Sequence, residues 1–179
     1  MKHSKFSQFS GFTLIELLAV IAITGVVGSM MFGILFSTLQ GANKSESLGI
    51  IQQNGNFALG QITKMVRYST DILDPTTCYT APTPTPVQQS SISILNVDNN
   101  ITTFSCDLGA GTIASNGAAL LDPNDVKVTA CSFSCTQLTP YDQPTMTVSF
   151  TLGKKNSNNL VENNSSQQFQ TSITLRNIR

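Results

Sequence analysis

Gly11-Phe12-Thr13-Leu14-Ile15-Glu16-Leu17-Leu18-Ala19-Val20-Ile21-Ala22-Ile23 opens an apolar run that continues through Val26-Val27, Met30-Met31-Phe32 and Ile34-Leu35-Phe36. No charged side chain occurs from Leu17 to Asn43. A membrane-crossing helix needs about 20 apolar residues, which this run supplies. Glu16 nevertheless sits in its first turn. A carboxylate at membrane depth costs about 2.5–3.5 kcal/mol on insertion scales, so such a residue demands a specific role. Ahead of the run lies a short polar head, Met1 to Ser10, carrying Lys2, His3 and Lys5. A secretory signal fits poorly. Its apolar core runs only about 7–15 residues and ends in a small-residue cleavage site, whereas here the run is longer and Gly11 precedes it.

The segment Gly11-Phe12-Thr13-Leu14-Ile15-Glu16-Leu17-Leu18 resembles the class III signal of type IV prepilins and of type II secretion pseudopilins. The resemblance implies that a prepilin peptidase cuts after Gly11 on the cytoplasmic side and that the new N-terminus, Phe12, is methylated. It also implies that the helix polymerises with other pilin subunits, and that Glu16 meets the Phe12 amine of a neighbour. Pilins often carry a helix breaker where Gly33 stands, and Gly25 and Gly33 are the expected points of helix flexibility. In a membrane the same small residues let helices approach closely.

Lys2 and Lys5 before the apolar run place the N-terminus in the cytoplasm and send the remainder across the bacterial inner membrane. The expected end point is a cell-surface or periplasmic filament. Cleavage after Gly11 removes both lysines and leaves eight basic side chains against ten acidic, a net of −2. That balance, without clustered positive charge, argues against a nucleic-acid surface. Cys78, Cys106, Cys131 and Cys135 then face an oxidising compartment and are disulfide candidates. Cys131 and Cys135 share a strand face about 13 Å apart at ~3.3 Å per residue, beyond the ~7 Å reach of a bridge between Cα atoms. Each is therefore expected to pair with Cys78 or Cys106, with a preference for Cys106–Cys135 and Cys78–Cys131.

Past Gly41 the composition turns polar but helical periodicity continues. Leu48, Ile51, Ala58, Ile62 and Met65 mark one face, widened by Phe57, Leu59 and Val66, the pattern of a half-buried amphipathic helix. One helix is expected from Phe12 to about Ser69, roughly 85 Å at 1.5 Å per residue. The stretch Gln53-Asn54-Gly55-Asn56-Phe57-Ala58-Leu59, with Ile62 and Met65-Val66-Arg67, resembles J-type pseudopilins and W-type minor pilins.

Three prolines at spacing two, Pro82, Pro84 and Pro86, forbid helix and favour extended chain. From Ser91 the period becomes that of strands: Ser91–Val97 and Ile101–Cys106 around Asp98-Asn99-Asn100, then Leu120-Leu121 and Val126–Phe133 around Asp122-Pro123-Asn124-Asp125. Thr145–Leu152 and Phe169–Leu175 alternate most cleanly. Leu175-Arg176-Asn177 resembles the last strand of minor pilins.

The expected organisation is a leader over 1–11, a transmembrane and assembly half of the helix over 12–39, its amphipathic half over 40–69, a Thr/Pro-rich connector over 70–90 and a β-sheet domain over 91–179. The expected fold is α+β and pilin-like: a long N-terminal helix packed on an antiparallel sheet of four to six strands.

Catalysis finds little support. His3 is the sole histidine and leaves with the leader, so no Ser/His/Asp or Cys/His arrangement remains. No cofactor fingerprint and no metal-ligand spacing is present. Asp122, Asn124 and Asp125 read as a turn rather than a calcium loop. Lys154, Lys155, Arg176 and Arg179 read as a solvated loop and chain end, with DNA binding the sharper alternative. The expected function is structural, a minor pilin of a type IV pilus-like filament. The alternatives are a pseudopilin of a secretion or DNA-uptake machine, and a membrane-anchored adhesin-like module that does not polymerise.

Overall fold

A computed structural model describes residues 11–74, 78, 87–139, 141–155 and 165–176. One helix and nine strands follow one another. The chain divides into two units, Met1–Ala42 and Asn43–Arg179.

In the first unit the helix α1 (Leu14–Arg67) begins. Its apolar side chains from Phe12 to Leu39 are exposed. By length and composition α1 is the one helix among the described residues that suits a membrane crossing. It passes through Gly25 and Gly33 without interruption.

In the second unit α1 buries Ser47, Ile51, Gly55, Ala58, Ile62 and Val66, a stripe at steps of three and four. Phe57, expected on the buried side, is instead 57 % exposed. Two residues on from Gly55, Phe57 lies about 200° around the helix, so it faces away from the sheet that packs on Gly55. A Cβ built on Gly55 would overlap the ring of Phe169.

The strands are antiparallel and form two sheets rather than one. The first sheet has the order β1-β3-β4-β5-β6, with β1 at Ser69–Asp74, β3 at Ser91–Asn96, β4 at Ile101–Asp107, β5 at Thr112–Ser115 and β6 at Ala118–Ala119. The second has the order β2-β7-β8-β9, with β2 at Val87–Gln89, β7 at Val126–Thr136, β8 at Thr145–Lys154 and β9 at Ser166–Thr174. Two of these strands, β1 and β2, come from residues expected to be connector. Their cross-strand pairing supplies an order that short polar segments such as Ser69-Thr70-Asp71 do not signal. The prolines of the connector itself lie outside the described residues.

The strand expected at Leu120-Leu121 is displaced to Ala118–Ala119. It pairs with β5 across Asn116-Gly117, whose φ angles are 50° and 82°, the two left-handed positions of a tight hairpin turn that favours this dipeptide. The Asp98-Asn99-Asn100 turn joins β3 to β4 as expected, with Asn99 at φ 61°.

Alternation then builds the core. Met146, Val148, Phe150 and Leu152 of β8 are all buried, and Phe169 and Ile173 of β9 join them. Strand β7 buries Val126 and Val128, then Phe133 and Cys135. The change of parity is absorbed by a bulge between Val128 and Ala130, which spends one extra residue to keep both halves facing inward. Phe104 of the first sheet and Phe133 of the second approach with ring centroids 6.5 Å apart, so the sheets and the second half of α1 share one core.

Two disulfides join Cys78 to Cys135 and Cys106 to Cys131, with Cα separations of 5.1 and 6.3 Å. Cys131 and Cys135 remain unpaired with each other, as the strand geometry requires, but the preferred connectivity is reversed. Cys135, at the end of β7 that also pairs with Val87, takes Cys78. Cys106, at the end of β4, is left facing Cys131 and bridges the two sheets.

Candidate processing and assembly site

Gly11 and Phe12 precede the first turn of α1 and are fully open to solvent, Phe12 at 82 % exposure. Thr13 stands at the N-cap. Its carbonyl accepts the Leu17 N–H at 3.2 Å. Its hydroxyl accepts the Glu16 N–H at 3.4 Å, and the Glu16 carboxylate accepts from both the Thr13 N–H and the Thr13 hydroxyl at 3.2 Å. This reciprocal arrangement is a capping box: two of the helix's orphan N–H donors are satisfied by side chains three residues apart. The carboxylate also lies at the positive end of the helix dipole.

Thr13 carries no role in the reading of the sequence above. The signal that finds it is the Thr-x-x-Glu spacing directly before an apolar run. Both hydrogen bonds to the carboxylate end on Oε2. A carboxylate offers about four lone-pair sites, so Oε1 stays available to a further cation without opening the cap.

The other singled-out polar groups lie elsewhere. Asp122 and its neighbours form a turn, in which the Asp122 carboxylate accepts the Asn124 N–H at 2.9 Å and the Asp122 N–H donates to Asn54 Oδ1 at 3.0 Å. Among the described residues no three His, Cys, Asp or Glu side chains gather as a metal site would need. Lys154, Lys155 and Arg176 do not form one patch. The β8–β9 register sets Gly153 opposite Ser166 and Thr145 opposite Thr174, so the two lysines and Arg176 stand at opposite ends of the sheet, roughly 30 Å apart along the strand. Lys154 Nζ donates to the buried Ser47 hydroxyl at 3.0 Å. Arg176 lies instead near Arg67, at the end of α1.

No curated protein and no solved structure matches the chain. Residues 7–32 match the family model described as the prokaryotic N-terminal methylation motif. The matched span covers the last four residues of the polar head, the Gly11-Phe12 junction, the Thr13–Glu16 cap and the first five turns of α1. It thus joins the Gly11-Phe12 junction to the one helix among the described residues that suits a membrane crossing. The chain carries the type IV prepilin-like methylation signal at the head of an α+β, pilin-like fold.

Proposed function

We propose that the protein is a minor pilin, made as a membrane-anchored precursor and assembled into a type IV pilus-like filament. Prepilin peptidase cuts after Gly11 at the cytoplasmic face, and Phe12 becomes the methylated N-terminus. Residues 12–39 hold the subunit in the inner membrane and then pass into the filament core, with Gly25 and Gly33 as points where the helix can loosen. Residues 40–69 and the sheets form the part that faces outward.

The observation that carries this reading is the matched motif, with Glu16 set at the start of a helical stretch that is exposed and carries no further charge as far as Asn43. In lipid, near the cytoplasmic edge, the carboxylate keeps partial access to water. In a filament core it would be buried, and an unpaired buried carboxylate either costs several kcal/mol or takes up a proton. Cleavage creates the partner, the cationic amine of Phe12 on a neighbouring subunit, while Thr13 holds the carboxylate in place through Oε2. Losing one member of such a buried pair costs about 3–5 kcal/mol.

Glu16→Ala is therefore expected to abolish entry into filaments while leaving membrane insertion and cleavage intact, and Glu16→Gln to do nearly as badly. Immunoblots of sheared filaments against membranes read the result. Glu16→Ala at the wild-type level in filaments would show that the carboxylate is not the assembly contact.

A further inference from the structure

Four Asn-x-Ser/Thr triplets occur in the chain: Asn43-Lys44-Ser45, Asn100-Ile101-Thr102, Asn163-Asn164-Ser165 and Asn164-Ser165-Ser166. This triplet is the acceptor pattern for N-linked sugar transfer, a modification of surface loops in exported chains. The last two triplets begin outside the described residues. Asn43 sits inside α1, where its backbone is committed to the helix. Asn100 alone combines the triplet with an exposed loop, at the tip of the β3–β4 hairpin.

The folded tip leaves the Asn100 amide able to carry a sugar. An asparagine amide nitrogen has two hydrogens. The side-chain amide of Asn100 donates to the Asp98 carboxylate at 2.7 Å, and its backbone N–H donates to the same carboxylate at 3.2 Å. A glycosidic bond replaces only one amide hydrogen, so the other keeps the Asp98 contact and the turn survives. Val97 and Ile101, each 55 % exposed, flank this tip. The C–H faces of a sugar ring would shield them from water.

We propose that Asn100 is the acceptor of an N-linked glycan, transferred from a lipid-linked sugar diphosphate on the outer side of the inner membrane. A bond forms between Asn100 Nδ2 and the anomeric carbon of the sugar. The bond from that carbon to the diphosphate oxygen breaks, the lipid diphosphate leaves with the electron pair, and one amide proton passes to a base of the transferase. The fold also sets the order of events. Thr102, the hydroxyl residue of the triplet, is 7 % exposed and pairs with Ile94 in the ladder. Its hydroxyl accepts from the Asn96 side-chain amide at 2.8 Å. Transfer therefore precedes closure of the hairpin, while the chain is being exported. The location of the acceptor rests on the assembly reading above, which sends the sheets across the membrane.

The test uses full-length protein extracted from the membranes and sheared filaments of its own cells, with the Asn100 peptide sequenced by tandem mass spectrometry. The expected result is a glycan mass on Asn100, lost in Asn100→Gln and in Thr102→Val and retained in Thr102→Ser. Asn100→Gln keeps an exposed amide at the tip, so it carries the test if Thr102→Val fails to accumulate. A bare Asn100 in wild-type protein recovered from filaments overturns the proposal and leaves the assembly reading intact. A glycan mass that survives Asn100→Gln equally overturns it. A sheet domain open to protease only from the cytoplasmic side overturns both.

Discussion

The ring of Phe169 in β9 lies against the backbone of Gly55 in α1, in the space a Cβ would fill. Phe169 is itself stacked on Phe150, with centroids 5.5 Å apart, so its ring has little room to retreat. Gly55→Ala gains about 1 kcal/mol of helix propensity but overpacks the core, which costs about 1–3 kcal/mol. With the ring pinned, the second term wins. The variant is expected to unfold at lower temperature than wild type by circular dichroism, and Phe169→Leu in the same chain should recover part of the loss. A Gly55→Ala protein as stable as wild type would mean that helix and sheet can separate at this point without penalty.

How far this packing could be read in advance depends on what each residue signals by itself. Met146, Val148, Phe150 and Leu152 declare their strand because alternation needs no partner to be visible. The second half of α1 declares itself through its 3.6-residue period. Gly55 does not, since a glycine inside a helix reads as a weakness until the ring it accommodates is known. Strands β1 and β2 were hidden for the same reason: their residues are polar and their order comes from β3 and β7. Thr13 is legible from its spacing to Glu16. The nearness of Arg176 to Arg67 was not legible, because only the fold brings the end of α1 beside the end of β9.

Non-reduced peptide mapping of protein extracted from the membrane is expected to recover Cys78 linked to Cys135 and Cys106 linked to Cys131. The second of these ties the two sheets, and removing it by Cys106→Ser with Cys131→Ser should cost about 2–5 kcal/mol. Recovery of Cys106 joined to Cys135 would contradict the packing that sets Cys78 against Cys135 and Cys106 against Cys131.

The tip of the β3–β4 hairpin titrates at acid pH. The side-chain amide of Asn100 donates to the Asp98 carboxylate at 2.7 Å, and its backbone N–H donates at 3.2 Å. Both favour the ionised form and hold the Asp98 pKa below the usual 3.8, the side-chain bond most. A depressed carboxylate pKa contributes stability that is present above 3.8 and is lost as pH falls through the folded value. The contribution is small at this fully exposed site. Carbon-detected NMR titration should find Asp98 below 3.8 in the wild type and higher in Asn100→Ala. An unchanged value in the variant would remove the Asn100 side chain as the cause.

The account turns on whether the chain is processed as a prepilin at Gly11, and intact-mass analysis of membrane-extracted protein measures this directly. In a strain with active prepilin peptidase, the predicted species begins at Phe12 and carries one N-methyl group, and Gly11→Val keeps the full precursor mass. Wild-type protein that retains Met1 to Gly11 in that strain would contradict the account.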